Sequence, residues 1–186
     1  MFFEAIRNQA WIIVLIFAVM TGIATFKHLK FKGGVGQSIG WSLIRGLLFF
    51  LLFYIPLFNQ PKISGASALP TVGVVFLVLG AILFAVGSKQ LVRAELQGIK
   101  GIPKKIITTG LYSIIRHPVN LGLMLIFSGW YLLWSGIYAL YFLAVFLVVF
   151  VFETFWEERN LEKEFGEEYT QYKRHVGMFI PRIRLS

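Results

Sequence analysis

Five apolar runs, each near the length needed to cross a bilayer, set the outline of this 186-residue chain: Asn8–Phe26, Gly40–Phe58, Leu69–Gly87, Val119–Trp134 and Gly136–Phe155. A spanning helix takes about 20 mainly apolar residues. Inside lipid every backbone polar group must be satisfied internally, so runs of this kind fold as helices. Hydrophobic residues make up 57% of the chain, above the roughly 45–50% apolar content of an ordinary soluble domain. The expectation is an all-α, polytopic membrane helix bundle of about five transmembrane helices, forming one domain over residues 1–186. The fourth run is short and meets the fifth through Trp134-Ser135-Gly136, which predicts a tight antiparallel helical hairpin. Pro56 falls near the end of the second run, and Asn59-Gln60-Pro61 with Pro70 marks a polar turn before the third.

Several functions are excluded at this level. The chain has no cysteine, so disulfides, thiolate metal sites and a cysteine nucleophile are absent. His28, His117 and His175 are scattered and show no metal-ligand spacing. The formal charge is +9, but its basic residues lie in short segments beside apolar runs. That pattern suits anionic lipid headgroups, and no polar domain exists to grip nucleic acid. Only Arg7 precedes Trp11–Phe26 and no small-x-small cleavage site follows, so this run reads as a first membrane helix. Gly33-Gly34-Val35-Gly36 lacks the strand and lysine of a phosphate loop and reads as a flexible linker.

Lysine and arginine concentrate in alternate loops. Lys27, Lys30 and Lys32 follow the first run; Lys89, Arg93, Lys100, Lys104, Lys105 and Arg116 lie between the third and fourth; Arg159, Lys163, Lys173, Arg174, Arg182 and Arg184 follow the fifth. The Asn59–Ala68 loop holds Lys62 alone. This asymmetry predicts an outside N-terminus and a cytoplasmic C-terminus. Gly73, Gly80 and Gly87 recur every seven residues and predict a helix face open to close backbone approach. Gly87 has a second reading, as an opening of the helix end toward a cofactor.

Two polar clusters flank the hairpin and should lie together at one end of it. The first runs from Thr109 to Asn120 and contains Gly110, Leu111, Tyr112, Arg116, His117 and Pro118. Pro118 suits the first turn of a helix, whose free N–H groups and positive potential favour an anion. Arg116 either holds such an anion through its planar fork or snorkels to lipid phosphate. The second cluster is Glu153, Glu157, Glu158, Glu162 and Glu164. Glu153 lies among apolar residues, where a carboxylate is costly unless paired, so it is a candidate for chemistry. Glu153 and Glu157 share a face and repel, with Arg116 as the natural partner to offset them. Alternatively the acids are a solvated helix exit served by Arg159 and Lys163. The segment Phe165–Arg174 reads as an interfacial helix against the bundle mouth, and Phe179-Ile180-Pro181-Arg182 as an extended segment able to close the site.

Gly110-x-Tyr112-x3-Arg116-His117-Pro118 and Glu157-Glu158-x2-Leu161-x3-Phe165-Gly166-x2-Tyr169-x2-Tyr172, with Phe179-Ile180-Pro181, form an ordered set. It resembles the integral-membrane methyltransferases, comprising isoprenylcysteine carboxyl methyltransferases and phospholipid N-methyltransferases, over about half the chain. The resemblance implies S-adenosylmethionine at the cytoplasmic face and a lipid-like or prenylated acceptor entering laterally from the bilayer. It assigns Gly110, Leu111, Tyr112, Arg116, His117, Pro118, Asn120, Glu157 and Glu158 to the cofactor pocket, Glu157 and Glu158 facing its ribose or ammonium. Arg116 and Glu153 are the candidates for catalysis. Residues 1–88 then form scaffold spans, and 89–186 hold the cofactor-binding loop, hairpin and tail. Where the family often has tyrosine two residues after the proline, this chain has Asn120. Two other readings stay open: an NADPH-dependent membrane reductase related to sterol reductases, whose C-terminal half is similar, and a non-catalytic membrane assembly protein.

Overall fold

The computed structural model describes residues 52–65, 67–99 and 105–182. The first expected span, most of the second, the first basic loop and the Gly33–Gly36 linker lie outside the described residues. Four helices follow in order: α1 (Leu69–Ile99), α2 (Pro118–Trp134), α3 (Ile137–Phe165) and α4 (Glu167–His175). Short 3-10 turns occupy Ile55–Leu57 and Gly110–Ser113. Among the described residues there is no β-strand, only isolated bridges between Lys62 and Gly136 and between Ile115 and Gly177.

Two helices outrun their expected spans. α1 has 31 residues and α3 has 29, or roughly 45 Å each at about 1.5 Å per residue, against a hydrocarbon core of about 30 Å. Each is long and apolar enough over part of its length to cross a membrane. Both also leave large apolar side chains uncovered: Val78, Ile82, Val145, Val148 and Phe152 are exposed. The surplus length is polar. It carries Lys89, Gln90 and Arg93 on α1 and Glu157 to Phe165 on α3, residues that are good helix formers once outside lipid. Phe165, expected in the tail helix, therefore ends α3. Gly166 breaks the chain with a positive φ of 56° and starts α4.

The chain divides into two compact units, residues 1–64 with 134–139, and 65–133 with 140–186. In the first, the hairpin link is braced by the polar turn before α1. Ile63 N donates to Ser135 O at 3.1 Å and Ile137 N donates to Pro61 O at 3.0 Å. Gln60 Nε2 donates to Ile55 O and its Oε1 accepts from Ala139 N at 2.9 Å. Two of the first N–H groups of α3, which lack partners inside the helix, are thus satisfied by residues 60 and 61.

In the second unit α1 and α2 run antiparallel along interlocking glycines. A Cβ on Gly73 would stand 2.7 Å from Gly129 O, and one on Gly80 would stand 2.7 Å from Gly122 O. Reciprocally, a Cβ on Gly129 would come within 2.5 Å of Gly73 O, and one on Gly122 within 2.7 Å of Phe84 N. The heptad glycines predicted for α1 meet a second pair, also seven residues apart, on α2. At Gly87 the neighbours would be Val119 Cγ2 at 3.0 Å and Pro118 Cγ at 3.4 Å, so this glycine admits the start of α2. α2 packs on α3 through Phe127 and Phe146, whose ring centroids are 4.5 Å apart.

Because backbone atoms oppose these glycines, no side-chain adjustment relieves a larger residue. Gly129→Leu or Gly80→Val should cost about 1–3 kcal/mol or more, seen as a lowered midpoint of thermal unfolding in detergent. Val78→Ala, on an exposed position of the same helix, should change it little.

Candidate functional site

The hairpin returns the end of α3 to the start of α2, and the preceding loop and the tail complete the site. Gly110 has φ +64°, and a Cβ there would collide with the Gln90 side chain. Leu111 N donates to Gln90 Oε1 at 3.3 Å, and Ser113 Oγ to Gly110 O at 2.7 Å. The Gly110–Ser113 turn is thereby held to the polar end of α1. Pro118 is buried at the first position of α2, where its missing N–H costs nothing.

At the centre is the Glu158 carboxylate, 2% exposed. Its Oε1 accepts from Arg116 Nε at 2.7 Å and lies 2.6 Å from Arg116 Nη2. His117 Nε2 stands 3.2 Å from the same oxygen and Tyr169 OH donates to it at 3.5 Å. Lys173 Nζ lies 3.3 Å from Oε2 and 2.8 Å from Glu162 Oε1. A buried carboxylate is tolerable only with such pairing. The hydrogen bond to Glu162 raises the Lys173 ammonium above its ordinary value, with Glu158 adding to it.

Arg116 also ties down the tail. Its Nη1 donates to Val176 O and, at 3.2 Å, to Lys173 O. Arg116 N donates to Gly177 O at 2.8 Å and His117 N to Met178 O at 3.2 Å. Tyr172 OH donates to Tyr112 O at 2.5 Å, and the Phe179 ring lies 6.2 Å from that of His117. Burial, with the negative charge of Glu157, pushes the Tyr112 phenol up to about 12. Burial likewise raises Tyr169 and Tyr172, so all three phenols stay neutral donors at physiological pH.

This geometry changes the expected employment of Arg116. The anticipated anion holder and catalytic group has all three nitrogens engaged and a side chain only 5% exposed. It neither snorkels nor offsets Glu153 and Glu157; it meets Glu158, roughly a quarter turn round the helix from Glu157. Glu158 is correspondingly interior. Glu153 is exposed on α3 and is not drawn into the cluster. The loop residues Gly110 to Pro118, with Asn120, Glu157 and Glu158, do gather at one end of the hairpin.

Glu157 occupies the outer edge, its side chain 53% exposed. Its Oε2 accepts from Asn120 Nδ2 at 3.0 Å and lies 3.7 Å from His117 Nδ1. Asn120 Nδ2 also donates to Thr154 Oγ1 at 3.2 Å, whose hydroxyl donates to Phe150 O at 2.9 Å. Arg116 and Lys173 provide two fixed cations against three carboxylates, Glu157, Glu158 and Glu162. The two cations pair with Glu158 and Glu162, whereas among the described residues the basic group beside Glu157 is His117. Sequence reasoning gave Thr154 no role and counted Lys173 only among the basic residues that set orientation. The available signal for Thr154 was a hydroxyl alone in the run Val148–Phe155 apart from Glu153, one turn before Glu158.

Removing one partner of the buried pair leaves the other charge uncompensated. Arg116→Met or Glu158→Leu should each destabilise by about 3–5 kcal/mol and free the tail to protease. The double substitution should be milder than the sum of the two, as read by thermal unfolding and tail cleavage.

A family profile for phospholipid methyltransferases matches residues 69–168, more than half of the chain. Methanethiol S-methyltransferase 1 of Bradyrhizobium diazoefficiens is 37% identical over 87 residues, covering 47% of this chain and 30% of that protein. Methanethiol S-methyltransferase of Pseudomonas deceptionensis is 33% identical over 98 residues, 53% of this chain and 36% of its own. Protein-S-isoprenylcysteine O-methyltransferase of Saccharomyces cerevisiae is 33% identical over 84 residues, 42% of this chain and 33% of its own. The matched stretch thus spans about a third of the length of these curated relatives. No solved structure matches the chain. The profile match takes in the glycine-packed helices, the loop, the hairpin and the acidic end of α3, and the chain belongs to the phospholipid methyltransferase family.

Proposed function

We propose that this protein is an S-adenosylmethionine-dependent membrane methyltransferase whose acceptor is a lipid-like or other apolar nucleophile reaching the site from the bilayer. The observation that carries the reading is Glu157: an exposed carboxylate, fixed by Asn120, with no lysine or arginine partner among the described residues. S-adenosylmethionine bears a sulfonium and an ammonium, and a carboxylate of this kind suits such a ligand. The donor set therefore fits the cofactor, with Arg116 held by Glu158 and the tail carbonyls beside it.

When bound, the cofactor supplies an electrophilic methyl carbon. The chain's own residues bind, orient and exclude water. Glu157 takes the ammonium, while the Gly110–Ser113 turn and His117 form the adjoining wall. Phe179 and the tail cover that wall, and a water-poor, oriented site favours in-line displacement at carbon. The exposed apolar sides of α1 and α3 support lateral entry of an apolar acceptor. The relatives named for methanethiol support a sulfur acceptor over a carboxylate or amine. In calorimetry on protein in lipid nanodiscs, S-adenosylhomocysteine should bind. Glu157→Gln should weaken that binding about tenfold, the loss of a charge-assisted bond of about 1.5–3 kcal/mol. Binding of NADPH instead, or of neither ligand, would sink the reading in favour of a reductase or a scaffold.

The sidedness belongs to the same proposal. Lys89, Arg93, Lys105, Arg159, Lys163, Lys173 and Arg174 all flank the polar loop and helix ends that form the site, the distribution expected of a cytoplasmic face. With five spans, the N-terminus lies outside. A tag after the tail should resist membrane-impermeant label in sealed cells and react once they are opened; labelling in sealed cells would reverse the orientation.

A further inference from the structure

Thr154 and Asn120 form a hydrogen-bonded relay that ends on the carboxylate assigned to the ligand. The Thr154 hydroxyl spends its proton on Phe150 O, four residues back, so toward Asn120 it presents only lone pairs. Glu157 Oε2 is likewise an acceptor. Asn120 must therefore direct its Nδ2 at both, at 3.2 and 3.0 Å, because the flipped amide would set its oxygen against two acceptors. Both Nδ2 protons are used. Thr154 is 1% exposed, so the relay starts from a point that cannot swing. It also bridges the two helices of the hairpin, Asn120 on α2 and Thr154 and Glu157 on α3.

An exposed glutamate otherwise samples many rotamers, and fixing one costs side-chain entropy. A relay that meets this cost before a ligand arrives increases affinity by preorganisation. Oε2 is engaged by Asn120 and faces His117, while no hydrogen bond among the described residues holds Oε1. We propose that Thr154 and Asn120 are positioning residues, holding Glu157 so that its Oε1 is presented to the ammonium group of the bound cofactor. The proposal rests on the cofactor reading above and goes beyond it by assigning the buried threonine a part in recognition.

The test compares S-adenosylhomocysteine with its N-acetylated derivative, which lacks the positive charge, by calorimetry in nanodiscs. Thr154→Val keeps the shape and removes the hydroxyl, and should weaken binding of the charged ligand about fivefold while leaving the acetylated one unchanged. Thr154→Ser should restore wild-type affinity, and Thr154→Val should have no further effect beside Glu157→Gln. Wild-type affinity in Thr154→Val, or equal losses for both ligands, would overturn the positioning role. A wild-type protein that binds neither ligand would instead defeat the cofactor reading. The relay is then judged without ligand, by water exchange of the two Asn120 Nδ2 protons in NMR. Exchange of both should be slowed in the wild type and one should quicken in Thr154→Val; exchange as fast as in a free amide would overturn the relay.

Discussion

Burying the Glu158 carboxylate at the hairpin's polar end obliges four other groups to come to it, and much of the described structure follows from that demand. Arg116 comes from the loop before α2, His117 from the next position, and Tyr169 and Lys173 from the tail helix. Each arrives because an isolated charge in that position is too costly. In arriving, each fixes the segment that carries it. The guanidinium that neutralises Glu158 also holds the carbonyls of Lys173 and Val176, so one ion pair sets the course of both loop and tail.

The glycine contact between α1 and α2 plays the complementary part along the apolar length. In lipid there is little hydrophobic gain when one apolar helix meets another, so association depends on close packing. Gly73, Gly80, Gly122 and Gly129 supply it by letting backbone meet backbone. This contact sets α1 alongside α2, and Gln90 at the polar end of α1 then receives Leu111 N. Scaffold and site are joined there: the same helix that packs through glycine supports the turn beside the proposed ligand pocket.

The acidic end of α3 divides into interior and exterior work. Glu158 faces inward and pairs with Arg116 and Lys173, whereas Glu157 faces outward and among the described residues has no lysine or arginine partner. Adjacent residues on a helix point about 100° apart, and this rotation separates a buried carboxylate from an exposed one. The proposed methyl donor, with its two cationic centres, suits this division.

Much of this was legible along the chain. The apolar runs from Leu69 onward, the tight link at Trp134-Ser135-Gly136 and the heptad of Gly73, Gly80 and Gly87 depend on local composition and periodicity, and these alone determined a helical hairpin with two polar clusters at one end. The helix ends were harder to read, because the polar turns after Gly87 and Phe155 continue the helix once lipid stops constraining them. Partner choice was not legible. Glu153, Glu157 and Glu158 are equally plausible mates for Arg116 in a linear reading, and Thr154 looks like an incidental hydroxyl. Only the rotational setting of α3 against α2 decides that Arg116 meets Glu158, that Asn120 meets Thr154 and Glu157, and that Glu153 stays outside. That setting comes from packing summed over the whole helix–helix contact, which no single stretch of sequence contains.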